Sequence, residues 1–293
     1  MNILVSGGTG FVGKHLTNRL IHKGHHVFII TRTPQAYEST ENVTYLHYDA
    51  KLLPRIHAVI NLAGDSLFGY WTKRKKERIL SSRINTTQTL INLMKQLPEK
   101  PQAFISASAV GFYGTSHDVI FTEKTIQPGD DFLARVVVDW EKTARQAIDA
   151  GIRTVILRLG VILGEEGALP LMSLPVKLGV GGKIGSGEQW TSWIHIDDVI
   201  SLILFSLENH QLEGPINATA PHPVRNKDLI RTLAYFLKRP YWFPTPASVM
   251  RLAMGEMSEL ITKGQFVLPQ KALDNGFTFK YPTLEAALKE ISL

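Results

Sequence analysis

Gly7, Gly10 and Gly13 stand three residues apart, directly after the apolar run Ile3-Leu4-Val5 and directly before Lys14-His15-Leu16. The order reads as strand, tight turn and helix start. Glycines at this spacing remove the Cβ atoms that would hold a backbone away from a pyrophosphate. The helix that follows offers unpaired N–H groups and the positive end of its dipole. Such a turn suits a dinucleotide, with Gly7, Thr9, Gly10, Phe11, Val12 and Gly13 as its cradle. The spacing departs from the G-x-G-x-x-G fingerprint and, taken alone, also fits an ordinary turn between strand and helix.

Ligands of open parallel sheets sit beyond the carboxyl ends of the strands, so the residues placed there carry the next step. After the strand Val27 to Ile30 comes Thr31-Arg32-Thr33. An NAD-type site puts a carboxylate there for the ribose 2′-hydroxyl, whereas a guanidinium suits a 2′-phosphate. No carboxylate is present, so Arg32 favours NADP(H); an exposed arginine at a loop start is the alternative. Asp49, after the third strand, is placed to meet the adenine amino group or to start a loop. Leu62, Ala63 and Gly64, after the fourth, let the ribose and nicotinamide side pass closely. After the fifth, Ser106, Ser108 and Tyr113 make a polar cluster suited to a reacting carbonyl; each also fits a turn hydroxyl or a packing ring.

The elements that must position these residues alternate. Strands are expected at Ile3 to Ser6, Val27 to Ile30, Val43 to His47, Ala58 to Asn61, Ala103 to Ala107 and Thr154 to Leu159. Helices are expected at Phe11 to Lys23, Trp71 to Met94 and Phe132 to Ala150. Several strands are continuous apolar runs, which calls for burial on both faces and hence a parallel sheet covered by helices. The expected fold is α/β, a Rossmann-type doubly wound parallel sheet with a smaller C-terminal substrate lobe. The Rossmann part is read as 1–165, completed by a helix and short strand within 191–219; the lobe is read as 166–190 and 220–293. The stretch Gly164 to Gly187 is rich in glycine, and its Gly182-Lys183-Ile184 fails the Walker pattern, so it reads as a mobile loop near a substrate.

Length and composition set outer limits. With 293 residues, 44% of them hydrophobic, a large core is within reach. No apolar run approaches the roughly 18 residues of a membrane span, and the first residues lack the pattern of an export signal, so a soluble cytoplasmic protein is expected. The absence of cysteine excludes disulfides and thiolate catalysis. His22, His25 and His26 have no fourth ligand in view, so no metal is expected. The net charge of +6 is spread out; its densest piece, Lys73 to Lys76 with Arg78 and Arg83, reads as a solvated helix face rather than a nucleic-acid surface. The same density argues against a dry symmetric contact along that helix, and either a monomer or a homodimer is compatible.

Taken together, Gly7 to Gly13, Asn61 to Gly64, Ser106 to Gly114, Arg158 to Gly164 and Trp193 to Val199 resemble the extended branch of the short-chain dehydrogenase/reductase superfamily, the NAD(P)-dependent epimerase/dehydratase family. The end of the chain, from Pro240 to Leu273, resembles the conserved C-terminal segment of its subgroup of epimerase family proteins. The resemblance implies a Rossmann domain binding NADP(H) and a lobe shaping a substrate cleft. It also implies chemistry by a Tyr-x-x-x-Lys pair, whose tyrosine exchanges a proton with the substrate while a serine fixes the substrate oxygen. Ser108 matches that serine, but the pair is missing. Setting Glu141 on the acidic residue that follows the lysine puts Leu133 and Val137 at the two catalytic positions, and Lys142 has Val138 four residues before it.

Tyr113 is the candidate replacement acid, with Ser108 orienting the substrate; packing over the cofactor loop is its other reading. Gln189, Trp193 and Met172 are candidates to face substrate, and His195 is expected to hold the helix that follows it. Two functions stay open. One is an NADP(H)-dependent epimerase or oxidoreductase acting on a small polar carbonyl, alcohol or nucleotide-linked sugar. The other is a catalytically silent NADP(H) sensor. A purely structural module would leave the intact glycine turn unexplained.

Overall fold

Alternate residues of the first strand are buried in different cores. Ile3 and Val5 pack with Leu16, Leu20, Ile203 and Leu207, while Leu4 packs on the opposite face with Leu90, Ile91, Met94 and Ala144. A strand apolar on both sides can rest only between two helical layers. The computed structural model describes residues 1–50 and 53–292 and has that arrangement. Strands β1 (Asn2–Ser6), β2 (His26–Ile30), β3 (Val43–Leu46), β4 (Ala58–Asn61) and β5 (Ala103–Ala109) come first, followed by short β6 (Ile120–Phe121) and long β7 (Arg153–Leu159). Then come β8 (Val161–Leu163), β9 (Trp190–Thr191), β10 (Trp193–His195), β11 (Gly214–Ala218), β12 (Val224–Arg225) and β13 (Phe266–Val267).

Seven of these strands form one sheet in the order β11-β7-β5-β4-β1-β2-β3, with parallel pairing throughout. The strand order reverses between β1 and β4, where Val5 lies beside Ile60 on one side and Ile29 on the other. A crevice opens at the carboxyl ends of strands at such a reversal. The Rossmann-type α/β fold expected from the sequence is therefore the fold observed.

Helices α1 (Phe11–His22), α2 (Lys73–Gln96) and α3 (Phe132–Arg145) cover the sheet together with α5 (Ile196–Glu208), which follows α4 (Ala168–Lys177) in the chain. Helix α3 ends before the expected Ala150: the chain tightens into a short turn, Ile148–Ala150, and leaves through Gly151 at φ +74°. The stretch after Gly164 departs further from expectation, because α4 lies within it. Pro170 falls in the first turn of that helix, where a backbone N–H has no intrahelical acceptor to lose, and Leu169, Ser173 and Val176 give the helix a buried face.

Helices α6 (Asn226–Phe236), α7 (Ala247–Met254), α8 (Glu259–Thr262), α9 (Gln270–Asp274) and α10 (Leu284–Glu290) complete the chain. Leu163, Trp193, Leu229, Leu233, Leu284 and Leu288 share a second core distinct from those under the sheet. Asp198, at the start of α5, accepts the backbone N–H groups of Lys280 at 2.8 Å and Tyr281 at 3.0 Å, which fastens the C-terminal segment. No helix among the described residues is long and apolar enough to cross a membrane.

Candidate functional site

The glycine turn and the end of β4 meet at the strand reversal. Gly7 sits at φ +76°, in the left-handed region that side chains disfavour, and a Cβ there would lie 2.7 Å from the backbone of Leu62. At Gly13 a Cβ would overlap the Gly7 carbonyl, so helix α1 approaches the turn after β1 this closely only because Gly13 lacks a side chain. Gly10 precedes the helix without any side-chain cap, and the first turn holds no acidic residue. The end of α1 thus presents free N–H groups and an uncompensated positive dipole.

Thr9 and Val12 are half-buried beside this turn. The Phe11 ring packs onto Gly164 and Gly167, where added Cβ atoms would strike it. On the facing side Leu62 donates its N–H to the Ser6 carbonyl at 2.8 Å, and Ala63 donates to Asn61 Oδ1 at 3.3 Å. These contacts bring Gly7 to Gly13 and Leu62 to Gly64 to one crevice.

Arg32 follows β2 as an exposed side chain and makes no hydrogen bond or ion pair among the described residues. Its donors are open to an incoming anion. Asp49 follows β3 and pairs with His47 at 2.6 Å. Beneath them, Ser6 Oγ lies 2.9 Å from the Tyr48 hydroxyl.

Ser108 and Tyr113 are brought together, but through a buried ion pair. Ser108 Oγ donates to Glu141 Oε1 at 2.7 Å, and Arg158 grips the same carboxylate with Nε at 2.7 Å and Nη2 at 2.9 Å. The remaining Arg158 nitrogen donates to the Tyr113 hydroxyl at 2.9 Å, which in turn donates toward Asn217 Oδ1 at 2.8 Å. Burial raises the tyrosine pKa against the opposing pull of Arg158, and the Arg158 guanidinium lies 3.5 Å from the Phe112 ring centroid. The geometry fits Tyr113 as a packing residue of its turn better than as an acid, because its hydroxyl is enclosed and already paired.

Glu141 and Arg158 were not among the sequence candidates. The available signal was an arginine inside the otherwise apolar run Thr154 to Leu159, since a charge buried there requires a carboxylate. The two positions of the missing catalytic pair are apolar in space as in sequence. Leu133 and Val137 lie under Gly111, where an added Cβ would meet them at 3.6 and 3.9 Å. Neither side chain can carry a proton.

The lobe candidates are placed differently from one another. Met172 is half-buried against the lobe core. Gln189 is buried, and its Nε2 donates to the carbonyls of Ile184 at 3.0 Å and Ile261 at 2.7 Å, tying two loops together. Trp193 is wholly enclosed in the second core, where β10 pairs with β8, and donates its indole N–H to the His222 carbonyl at 3.1 Å. The expectation that it faces substrate is replaced by a core role. His195 caps α5, its Nδ1 accepting the Asp197 N–H at 3.1 Å, and burial lowers its pKa.

Comparison with known proteins places this architecture among relatives. The family model described as NAD dependent epimerase/dehydratase family matches residues 3–218, and a second, described as a domain of unknown function, DUF1731, matches residues 245–291. The chain is 48% identical to Epimerase family protein YfhF of Bacillus subtilis, over 99% of this chain and 98% of that one. It is 40% identical to Epimerase family protein SH2119 of Staphylococcus haemolyticus, with 98% of each covered. Among solved structures, human epimerase family protein SDR39U1 with NADPH superposes with a TM-score of 0.90 at 34% identity, covering 99% of both chains. UDP-glucose 4-epimerase of Thermotoga maritima shares the fold, with a TM-score of 0.80 at 20% identity over 99% of this chain and 96% of that one.

Proposed function

Because this chain belongs to the NAD dependent epimerase/dehydratase family, we propose that it binds NADP(H) and acts on a small polar carbonyl, an alcohol or a nucleotide-linked sugar, as a cytoplasmic monomer or homodimer. The observation that carries this reading is the crevice at the strand reversal, where Gly7 lies against the Leu62–Ala63 backbone and Gly13 against Gly7. Backbone packed this tightly leaves the free N–H groups of α1 facing an opening without side chains, which fits a diphosphate. Arg32, with no partner among the described residues, supplies the forked donor that a 2′-phosphate takes. The NADPH bound by the human relative supports the same choice. Asp49 is assigned to the adenine end, and Leu62, Ala63 and Gly64 to the ribose and nicotinamide end.

When bound, the nicotinamide supplies a hydride donor or acceptor. The chain contributes position: α1 and the glycine turn fix the diphosphate, and the lobe of 166–190 and 220–293 bounds the substrate. Single-turnover fluorescence of protein-bound NADPH across a carbonyl library tests the proposal. Decay with at least one carbonyl is the expected result, and a protein that takes up no NADPH overturns the reading.

A second reading, a silent NADP(H) sensor, is favoured by one observation. Leu133 and Val137 occupy the positions of the proton-transfer pair while the Ser108 and Tyr113 hydroxyls are bound into the Glu141–Arg158 network. Under this reading NADPH binds tightly and its fluorescence stays flat with every carbonyl.

A further inference from the structure

Arg83, midway along α2, carries a half-buried positive charge that forms no ion pair with a carboxylate among the described residues. Its Nη1 donates to the backbone carbonyls of Asp65 at 3.1 Å and Ile79 at 2.9 Å, and its guanidinium lies 5.3 Å from the Trp140 ring centroid. Burial draws its pKa down against the opposing influence of the Asp65 charge. The Asp65 carboxylate is already taken, by Lys75 at 3.0 Å and by Arg78 at 3.6 Å. Among the described residues the Nε and Nη2 hydrogens of Arg83 have no hydrogen-bond partner and no acidic side chain forms an ion pair with it. Neither nitrogen is wholly enclosed, so both donors are open to an incoming anion.

One face of this guanidinium is uncovered because residue 64 is glycine. A Cβ at Gly64 would lie 3.1 Å from Cζ and 3.2 Å from Nη2 of Arg83, and Gly64 is not in the left-handed region. The missing side chain, rather than backbone freedom, is therefore what glycine contributes there. Gly64 ends the rim that follows β4, so the guanidinium lies beside the crevice. Trp140 is one turn of α3 beyond Val137, which fills the position where the resemblance expects a lysine. Helix α2 thus delivers a cation to the face of α3 that lacks one. Arg74, Lys75 and Arg78 of the same helix also line an open hollow of about 380 Å³ with Phe68 and Tyr70, which adds to the positive potential on this side.

We propose that Arg83 is the substrate-anchoring cation of the crevice, and that the substrate carries a carboxylate or phosphate group received by the Nε–Nη2 edge. The planar fork of that edge matches two oxygens of either group. This assignment rests on the reading of the crevice as an NADP(H) site and narrows its substrate to an anion.

The test titrates NADPH-loaded protein with sodium oxalate and, separately, with inorganic phosphate, reading the fluorescence of bound NADPH. A saturable response is expected to one of them, oxalate marking a carboxylate seat and phosphate a phosphoryl seat. Arg83→Gln should weaken that response by at least about tenfold with NADPH affinity unchanged, and Arg83→Lys should fall between, keeping the charge but not the fork. Gly64→Ala, which sets a methyl group against the guanidinium face and displaces the fork without removing the charge, should weaken it too when read at saturating NADPH; this variant keeps the test decisive if Arg83→Gln fails to fold. An Arg83→Gln protein that binds the anion as well as the parent overturns the proposal, and so does a parent that responds to neither anion. A loss of NADPH affinity in Arg83→Gln would assign the guanidinium to the cofactor and overturn it as well. Failure of the underlying reading looks different: the parent takes up no NADPH before any anion is added, and both assignments fall.

Discussion

Arg32 is exposed and has no hydrogen-bond or ion-pair partner among the described residues, so its value lies in what it binds rather than in what it supports. Arg32→Ala should weaken NADPH binding by about 1.5–3 kcal/mol, the range of a charge-assisted hydrogen bond, and leave NADH binding unchanged. Calorimetric titration with both nucleotides checks this; equal losses would remove the 2′-phosphate assignment. His195 carries a pH dependence. Its folded pKa is depressed below 6.5, chiefly by burial, with Asp197 pulling upward and Lys280 downward. The unfolded chain therefore binds the proton more readily, so the stabilisation from neutral His195 is complete above about pH 6.5 and is lost as pH falls through the folded value. Protonation also removes the Nδ1 acceptor that caps α5. His195→Asn, which keeps a cap without titrating, should show a smaller drop in melting temperature between about pH 7.5 and 5.5 than the parent protein. At this scale residue type was legible and direction often was not. A serine at a strand end announces a polar neighbourhood, but the partner of Ser108 comes from a helix 33 residues away, and only the assembled register decides which side of β5 its hydroxyl takes.

Elements were legible where burial is two-sided. The continuous apolar runs of β1, β2 and β7 and the glycine turn after β1 are local statements, and runs apolar on both faces call for a parallel sheet between helical layers; the order of its strands was not legible. The two-residue strands β6, β9, β12 and β13 carry no period to read, and they exist because partners distant in sequence pair with them. Helix α4 was hidden by its prolines and by the glycines around it, although Pro170 occupies a turn where proline costs nothing. The glycine turn makes its own prediction. Gly13→Ala places a methyl group on the Gly7 carbonyl, so α1 must withdraw from the turn after β1. The expected result is a loss of about 1–3 kcal/mol in urea denaturation together with weaker NADPH binding. A variant of unchanged stability and affinity would show that the close approach has no importance for the crevice.

Across the whole molecule, the Glu141–Arg158 pair joins α3 to β7 and, through Ser108, Tyr113 and Asn217, ties in β5, the turn after it and β11. Removing one member leaves a naked buried charge, so Arg158→Met should cost about 3–5 kcal/mol in chemical denaturation. Combining it with Glu141→Leu should cost clearly less than the sum of the two single changes; additive losses would mean that the two groups do not act as a pair. Asp198 has a consequence of another kind, tied to the direction of synthesis. Its carboxylate is buried and its only described partners are the N–H groups of Lys280 and Tyr281, which the ribosome adds some eighty positions later. Until they emerge, water serves that carboxylate, and burying it without them would cost stability. A product that stops short of Lys280 lacks both donors, and limited proteolysis should cut it faster than the whole protein.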